Sequence, residues 1–393
     1  MVKTKNPTIK LQRESLKNVL RFVYKVVPSN PPLPILSSLL FSISNKTLTL
    51  SSTDLYFGIR SQVATTSDAE VTFAVPGSIF KDLISSFESE VVEIEVLESK
   101  IRVSSGKSSA EIPTQPHHDY PEFPDISGKV AVLPTEVLRE IDDYICFAAG
   151  TDQTRPILTT LLLKMKENGV EAVATDGFRL ATLMIDEIGC KSETDILIPA
   201  KYFTEVRSIA EQSEVDQITI YAENELKQLK FEVGHSSIYV RLIEGEYPPY
   251  EKIIPTHLPL EAAVDGEELK RELKRAHILA REVSNIVELE LGGKLDNDDK
   301  DKKNKDNPSL GSMVIRANSA NQGKYEGVCS LNSELTQVLP IAFNVNYLLD
   351  FLTNCSPEEL TIYASESLKP VLITVSGKDN YRYVVMPFRV SST

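Results

Sequence analysis

Apolar and polar residues alternate along this chain in two rhythms. A short run over 8–11 (Thr8-Ile9-Lys10-Leu11) reads as a strand, and Leu16, Leu20 and Val23 then recur at helical spacing, which predicts a helix over 14–26. Strand-like alternation follows over 36–43, 47–51 and 56–63, broken by turn residues such as Ser44-Asn45-Lys46. The order then repeats, with a strand over 71–75, a helix over 78–87 and strands over 91–96, 100–103 and 110–112. Connections this short predict antiparallel sheets with helices on one face, an α+β fold.

The pattern is written three times. The first copy holds Glu14-x-Leu16-Lys17, Pro34-Ile35-Leu36-x-x-Leu39-Leu40 and Val75-Pro76-x-x-x-Phe80; the second holds Glu136-x-Leu138-Arg139, Pro156-Ile157-Leu158-x-x-Leu161-Leu162 and Ile198-Pro199-x-x-x-Phe203. The third keeps Glu267-x-Leu269-Lys270 and Phe343-Asn344-x-x-x-Leu348. A period of roughly 120 to 145 residues is far too long for a solenoid, so these are three tandem domains, over 1–125, 126–256 and 257–393, with six helices between them. Proline-rich stretches around Pro116–Pro124 and Tyr247–Pro255 stiffen the joints. The charged run over 295–308 has no apolar residue after Leu295 and reads as a disordered insertion that lengthens the last copy.

Composition fits a folded cytoplasmic protein. The 393 residues are 41% hydrophobic, enough for a core in each third. Cys146, Cys190, Cys329 and Cys355 are widely spaced, which signals neither a zinc module nor a disulfide framework. No signal peptide or membrane span is legible. The net charge of −14 argues at first against a nucleic-acid partner. Its distribution changes the picture: Arg13, Lys17, Arg21 and Lys25 recur every four residues along the first helix, and Lys270, Arg271, Lys274 and Arg275 stand at the matching place in the third copy. The second copy departs, with Asp142 and Asp143 after Arg139.

Catalytic motifs are missing. Gly106-Lys107-Ser108 ends like a phosphate loop, but Ile101 stands where the first glycine is needed. Asp296, Asp298 and Lys300 lack the glycine and glutamate of a calcium loop, and His117, His118, His235, His257 and His277 form no ligand set. No metal and no cofactor are expected. The segment Ala174-Thr175-Asp176-Gly177-Phe178-Arg179-Leu180 stands out as a tight hairpin turn carrying an aromatic and an arginine.

Four segments carry a resemblance over essentially the full length: Leu33-Pro34-Ile35-Leu36, Ala174-Thr175-Asp176-Gly177-x-Arg179-Leu180-Ala181, Tyr247-Pro248-x-Tyr250 and Tyr383-Val384-Val385-Met386-Pro387-x-Arg389. In this order and at these repeat positions the chain resembles the bacterial sliding clamp, the beta subunit of the replicative DNA polymerase III. The resemblance implies three clamp domains per chain and a head-to-tail homodimer. That dimer forms a ring with sheets outside and helices lining a hole that duplex DNA occupies without sequence readout. It implies no enzymatic activity, and partners in the replicative polymerase, the clamp loader and other proteins carrying a short clamp-binding peptide.

The resemblance carries over to three sets of residues. The partner-peptide pocket comprises Leu158, Thr175, Gly177, Phe178, Arg179, Leu180, Pro248, Lys252, Ile253, Val384, Val385, Met386, Pro387, Phe388, Arg389 and Val390; its apolar walls suit an extended segment, with Arg179 and Arg389 expected to meet the peptide's backbone or carboxylates. Lys17, Arg21, Lys25, Lys201, Arg207, Lys270 and Lys274 are expected to face DNA, and Ile79, Leu83, Phe87 and Ile112 to meet Ile278 and Leu279 of a second copy. Phe178 stands where the family often has histidine, Lys252 where arginine is common, Ala110 where some members have an interface aromatic and Asn30 where some have a DNA-contacting arginine; Ser391–Thr393 extends the usual terminus. The rival readings are an enzyme using Asp176 and Arg179 on a nucleotide, and a monomeric scaffold of the same fold.

Overall fold

The computed structural model describes residues 6–190, 193–223, 227–282, 284–293, 311–319, 323–333, 335 and 337–389. The charged run over 295–308, Val390 and Ser391–Thr393 lie outside the described residues. Six α-helices form among those described: α1 (Arg13–Val23), α2 (Gly77–Ser86), α3 (Thr135–Tyr144), α4 (Ala200–Gln212), α5 (Gly266–Ala280) and α6 (Val345–Asn354). All strand pairs are antiparallel, as in Ile9↔Ile94 and Leu162↔Val173.

The repeated sequence positions are the anchors of the core. Leu16, Leu138 and Leu269, one in each copy's first helix, are at most 2% exposed, as are Phe80, Phe203 and Leu348 in the second helices. In the Val75-Pro76 motif the strand stops at the proline and the helix begins at the next residue, so the fourth residue on turns back onto the sheet. The third copy replaces that proline with Asn344, whose side chain caps α6 by accepting from the Asn346 amide at 3.0 Å.

Among the predicted boundaries that move, two have a proline behind them. The helix expected to reach residue 26 ends at Val23 and tightens into a 3₁₀ turn, because Pro28 requires an extended Val27, found at φ −63° and ψ 114°. The strand expected from residue 36 begins only at Ser38. Pro34 opens a 3₁₀ turn that buries Leu36, and Pro156 opens the matching turn in the second copy, which leaves Leu158 half-buried.

The chain forms two compact units, one of residues 1–136 with 204–242, the other of 137–203 with 243–393. In the first unit an eight-stranded sheet runs Val71–Pro76, Ser38–Ser44, Thr47–Thr53, Phe57–Ala64, Ser236–Arg241, Gln228–Val233, Gln217–Ala222, Gly128–Pro134. Its first four strands come from the first copy and its last four from the second. The seam pairs Ile59 with Ile238, and the Ser61 and Ser236 hydroxyls hydrogen-bond at 2.6 Å in its buried interior.

The second unit repeats this order with Thr194–Pro199, Thr160–Lys166, Gly169–Thr175, Arg179–Asp186, Lys378–Val385, Val371–Val375, Glu359–Ala364 and Leu260–Asp265. Here the seam pairs Leu180 with Val384. Behind it Phe351 stacks on Tyr383, ring centroids 4.9 Å apart. Burial pushes the thiols of Cys329 and Cys355 up to about 12, so neither is a thiolate at neutral pH.

Each unit also holds a four-stranded sheet: Thr8–Gln12, Val91–Val96, Lys100–Ser105, Ser108–Pro113 in the first, and Gly323–Ser330, Ser312–Ser319, Ile286–Leu291, Leu339–Asn344 in the second. Gly323–Ser330 takes, in the third copy, the place of Phe57–Ala64 and Arg179–Asp186 in the first two. Ser108–Pro113 takes, in the first, the place of Ser236–Arg241 and Lys378–Val385. Among the described residues both are edge strands with one side unpaired.

Candidate functional site

The hairpin between Gly169–Thr175 and Arg179–Asp186 is wider than the two-residue turn that Asp-Gly predicts, because Thr175 pairs with Leu180 rather than closing directly. Asp176 organises the loop: its Oδ1 accepts from the Phe178 amide at 2.8 Å and the Arg179 amide at 3.0 Å. Gly177 sits in the left-handed region at φ +93°, which glycine reaches without strain.

The loop leaves Phe178 53% exposed above a shallow depression of about 190 Å³, its open mouth included. Thr175, Leu180 and Val384 form its floor, none more than 3% exposed, with Ile253 as a wall and Met386 on the rim. Leu180 and Val384 rest on a core of Leu162, Val173, Leu197 and Tyr250, which holds the floor rigid. Burial, and then Glu171, whose carboxylate accepts from the Tyr250 hydroxyl at 2.8 Å, raise that phenol's pKa well above the ordinary value. Thr175, Gly177, Phe178, Arg179, Leu180, Ile253, Val384 and Met386 all line this one depression.

Others of that set do different work. Leu158 flanks the depression beside Gly177, while Pro248 and the exposed Lys252 sit on the segment that carries Tyr250 and Ile253. Val385 is wholly buried and offers a peptide no side chain, because its register opposite Arg179 turns it inward. Past Met386 the chain leaves the sheet; Pro387 is half-buried, Phe388 donates its amide to the Ala342 carbonyl at 2.7 Å, and Arg389 is exposed.

Arg179 requires a correction. Its side chain is only 9% exposed, with Nε 3.0 Å from Asp176 Oδ2 and Nη1 2.7 Å from Asp350 Oδ2. The guanidinium also lies 4.8 Å from the Tyr347 ring centroid. It is a fastener of the loop, already neutralised, and not a hand held out to a peptide carboxylate. Tyr347 and Asp350 are the residues that sequence reasoning missed; the only signal was a turn arginine with a single acid nearby in the chain. Replacing Arg179 with alanine strands Asp176 in a low-dielectric site and should cost about 3 kcal/mol in chemical unfolding, with Arg179→Lys recovering little because it lacks the planar fork. A loss below about 1 kcal/mol, the value of an exposed pair, would refute this role.

The proposed DNA-facing cations divide by exposure. Arg21, Lys25, Lys201 and Lys274 are exposed and Lys17 is half-buried. Arg207 pairs with Glu211 at 2.9 Å, and the Lys270 side chain is 14% exposed with Glu267 3.9 Å away, so both carry less outward charge than their spacing implies. Of the interface set, Ile79 and Ile278 are 55% and 58% exposed and Leu83 and Leu279 half-buried. Phe87 and Ile112, at 7% and 2%, belong to their own core, a second correction: strand alternation turns Ile112 inward, and the extended Phe87 just past α2 folds under the helix.

Family profiles for the DNA polymerase III beta subunit match the chain in series: the N-terminal domain over 8–124, the central domain over 132–249 and the C-terminal domain over 251–389. The chain belongs to the DNA polymerase III beta subunit family. A beta sliding clamp of Pseudomonas putida is 28% identical over 97% of this chain and 99% of its own. The crystal structure of the DNA polymerase III subunit beta from Pseudomonas aeruginosa superposes with a TM-score of 0.86 at 27% identity, covering 97% of this chain and all of that one. The beta chain from Streptococcus pneumoniae, at 23% identity, shares the fold with a TM-score of 0.89 over 98% of this chain and 100% of its own. Beta subunits of this family are clamps, and the enzymatic reading falls with that assignment. No helix among the described residues is long and apolar enough to cross a membrane.

Proposed function

We propose that the protein is a DNA sliding clamp, a non-catalytic ring-shaped homodimer that encircles duplex DNA and tethers the replicative polymerase and other partners during replication and repair. The two open edges carry the reading. Two seams join successive copies within the chain, and the third is left in halves that only a second copy can complete head to tail. A heterologous contact whose rotation closes makes a ring. Three clamp domains, over 1–125, 126–256 and 257–393, then recur twice around it, and Ile79 meets Ile278 across each junction.

Lys17, Arg21, Lys25, Lys201 and Lys274 face the DNA in this reading, with Arg207 and Lys270 behind them. Weak phosphate attraction holds the duplex without fixing its position, and the acidic remainder discourages binding elsewhere. The depression at Leu180 and Val384 receives a short extended peptide from the polymerase, the clamp loader and other partners, in the cytoplasm where these act.

Retention on DNA is therefore topological. Short linear duplex should bind weakly and be lost as salt rises. Protein loaded on a nicked circle should survive the same salt until the circle is cut, as gel filtration of the complex reads out. Equal loss from intact and cut circles at one salt concentration would remove the ring from the mechanism.

A further inference from the structure

The loop that builds the peptide depression has a counterpart in the first copy. Asp54 Oδ1 accepts from the Tyr56 amide at 2.9 Å and the Phe57 amide at 2.7 Å, as Asp176 does in the second copy. Leu55 holds the left-handed backbone, φ +80°, that Gly177 holds there. Tyr120-Pro121 answers Tyr247-Pro248, and Ser236–Arg241 answers Lys378–Val385. Between these elements lies a second depression of about 540 Å³, its mouth included, against about 190 Å³ for the first.

The chemistry of this depression is its own. Phe57 and Tyr239 are nearly buried in its floor, and the Phe123 ring forms a wall packed so close to Gly58 that a Cβ there would come within 2.6 Å of it. Leu55 and Tyr56 stand 39% and 57% exposed at the rim. A leucine in the left-handed region carries strain that glycine relieves, and strain kept beneath an exposed apolar side chain points to use of that side chain at the surface. Arg241 lies with its guanidinium 5.7 Å from the Tyr56 ring centroid, and among the described residues no carboxylate forms an ion pair with it. In the other depression Phe57's place is taken by Arg179, locked between two acids. Glu122, also lining the site, supplies an acceptor for a peptide amide.

We propose that this depression is a second peptide-docking site. It takes an extended segment that pairs a large apolar or aromatic side chain with a carboxylate, the former seated on Tyr56, Phe123 and Tyr239, the latter on Arg241. The proposal rests on the reading of the first depression as a peptide pocket, from which its geometry is carried over by the repeat.

The test uses the full-length dimer and two labelled peptides, acidic acetyl-Asp-Asp-Leu-Phe-amide and neutral acetyl-Gln-Leu-Ser-Leu-Phe-amide, followed by fluorescence anisotropy. Acidic peptide should bind a variant lacking residues 386–393 as well as the intact protein, and Tyr56→Ala or Arg241→Ala should weaken it at least about tenfold. Leu55→Gly separates binding from folding: affinity falls while the unfolding midpoint holds or rises. Acidic peptide that fails to bind, ignores Tyr56→Ala and Arg241→Ala, or is lost with residues 386–393 overturns the proposal. Neutral peptide that ignores the deletion overturns the reading of the first pocket instead, so the two failures are distinct.

Discussion

Replacing Ser109 with proline should turn the homodimer into monomers. Thr114 donates its amide to Ser99, its partner across the hairpin, so every second residue back along Ser108–Pro113 points its amide toward Lys100–Ser105. The amides of Ser109 and Glu111 therefore face outward, toward the strand that a second copy brings. Proline at 109 removes one of those donors and places its ring in the junction, while the bonds inside the first unit survive. The dimer dissociation constant should rise at least about 100-fold, equivalent to about 2.7 kcal/mol. Light scattering after size exclusion, with circular dichroism as the control for folding, reads both halves of the claim. A folded Ser109→Pro dimer of unchanged stability would place the junction elsewhere.

Deleting residues 386–393 should abolish binding of a glutamine-leucine-aromatic peptide and leave the dimer whole. The deletion removes the Met386 rim, and with it the flexible apolar contact opposite Phe178. Leu180 and Val384 remain as floor and Ile253 as wall, but a depression open on its Met386 side excludes water poorly. Losing one anchor of this kind commonly costs about 2 kcal/mol or more, and here the rim and its neighbours go together. The folded protein loses little, since the hydrogen bonds that the Met386 amide donates to the Phe178 carbonyl and the Phe388 amide to the Ala342 carbonyl are the tail's ties to its unit among the described backbone contacts. Calorimetry decides the matter. Unchanged affinity would mean that the pocket is elsewhere, and loss of the dimer as well would mean that the tail is structural.

Much of this was legible in the chain because the repeat exposes its own logic. Leu16, Leu138 and Leu269 recur since each copy needs the same anchor under its first helix, and such a requirement shows through even where the surrounding residues have changed. The hairpin at Asp176 was legible for a similar reason, as its turn chemistry is local. What could not be read is whatever depends on a partner far along the chain. Asp350 lies 171 residues from Arg179, and no local pattern selects it from the other acids. Burial of Val385 and Ile112 turns on strand parity, which a shift of one residue reverses. The pairing of Phe57–Ala64 with Ser236–Arg241, rather than with a strand of its own copy, belongs to the same class of fact.

That exchange of strands has a consequence for how the molecule can be divided. A copy cut out at its proline-rich boundaries does not come away clean, for it leaves with one raw edge and abandons another. The linker peptide is then a convenience and not the joint: a chain nicked between copies should stay assembled through its seams, and three-copy chains are one way among several of parcelling out the proposed ring. In the proposed ring, two copies per chain, or six, would meet at the same kind of edge-to-edge joint between strands.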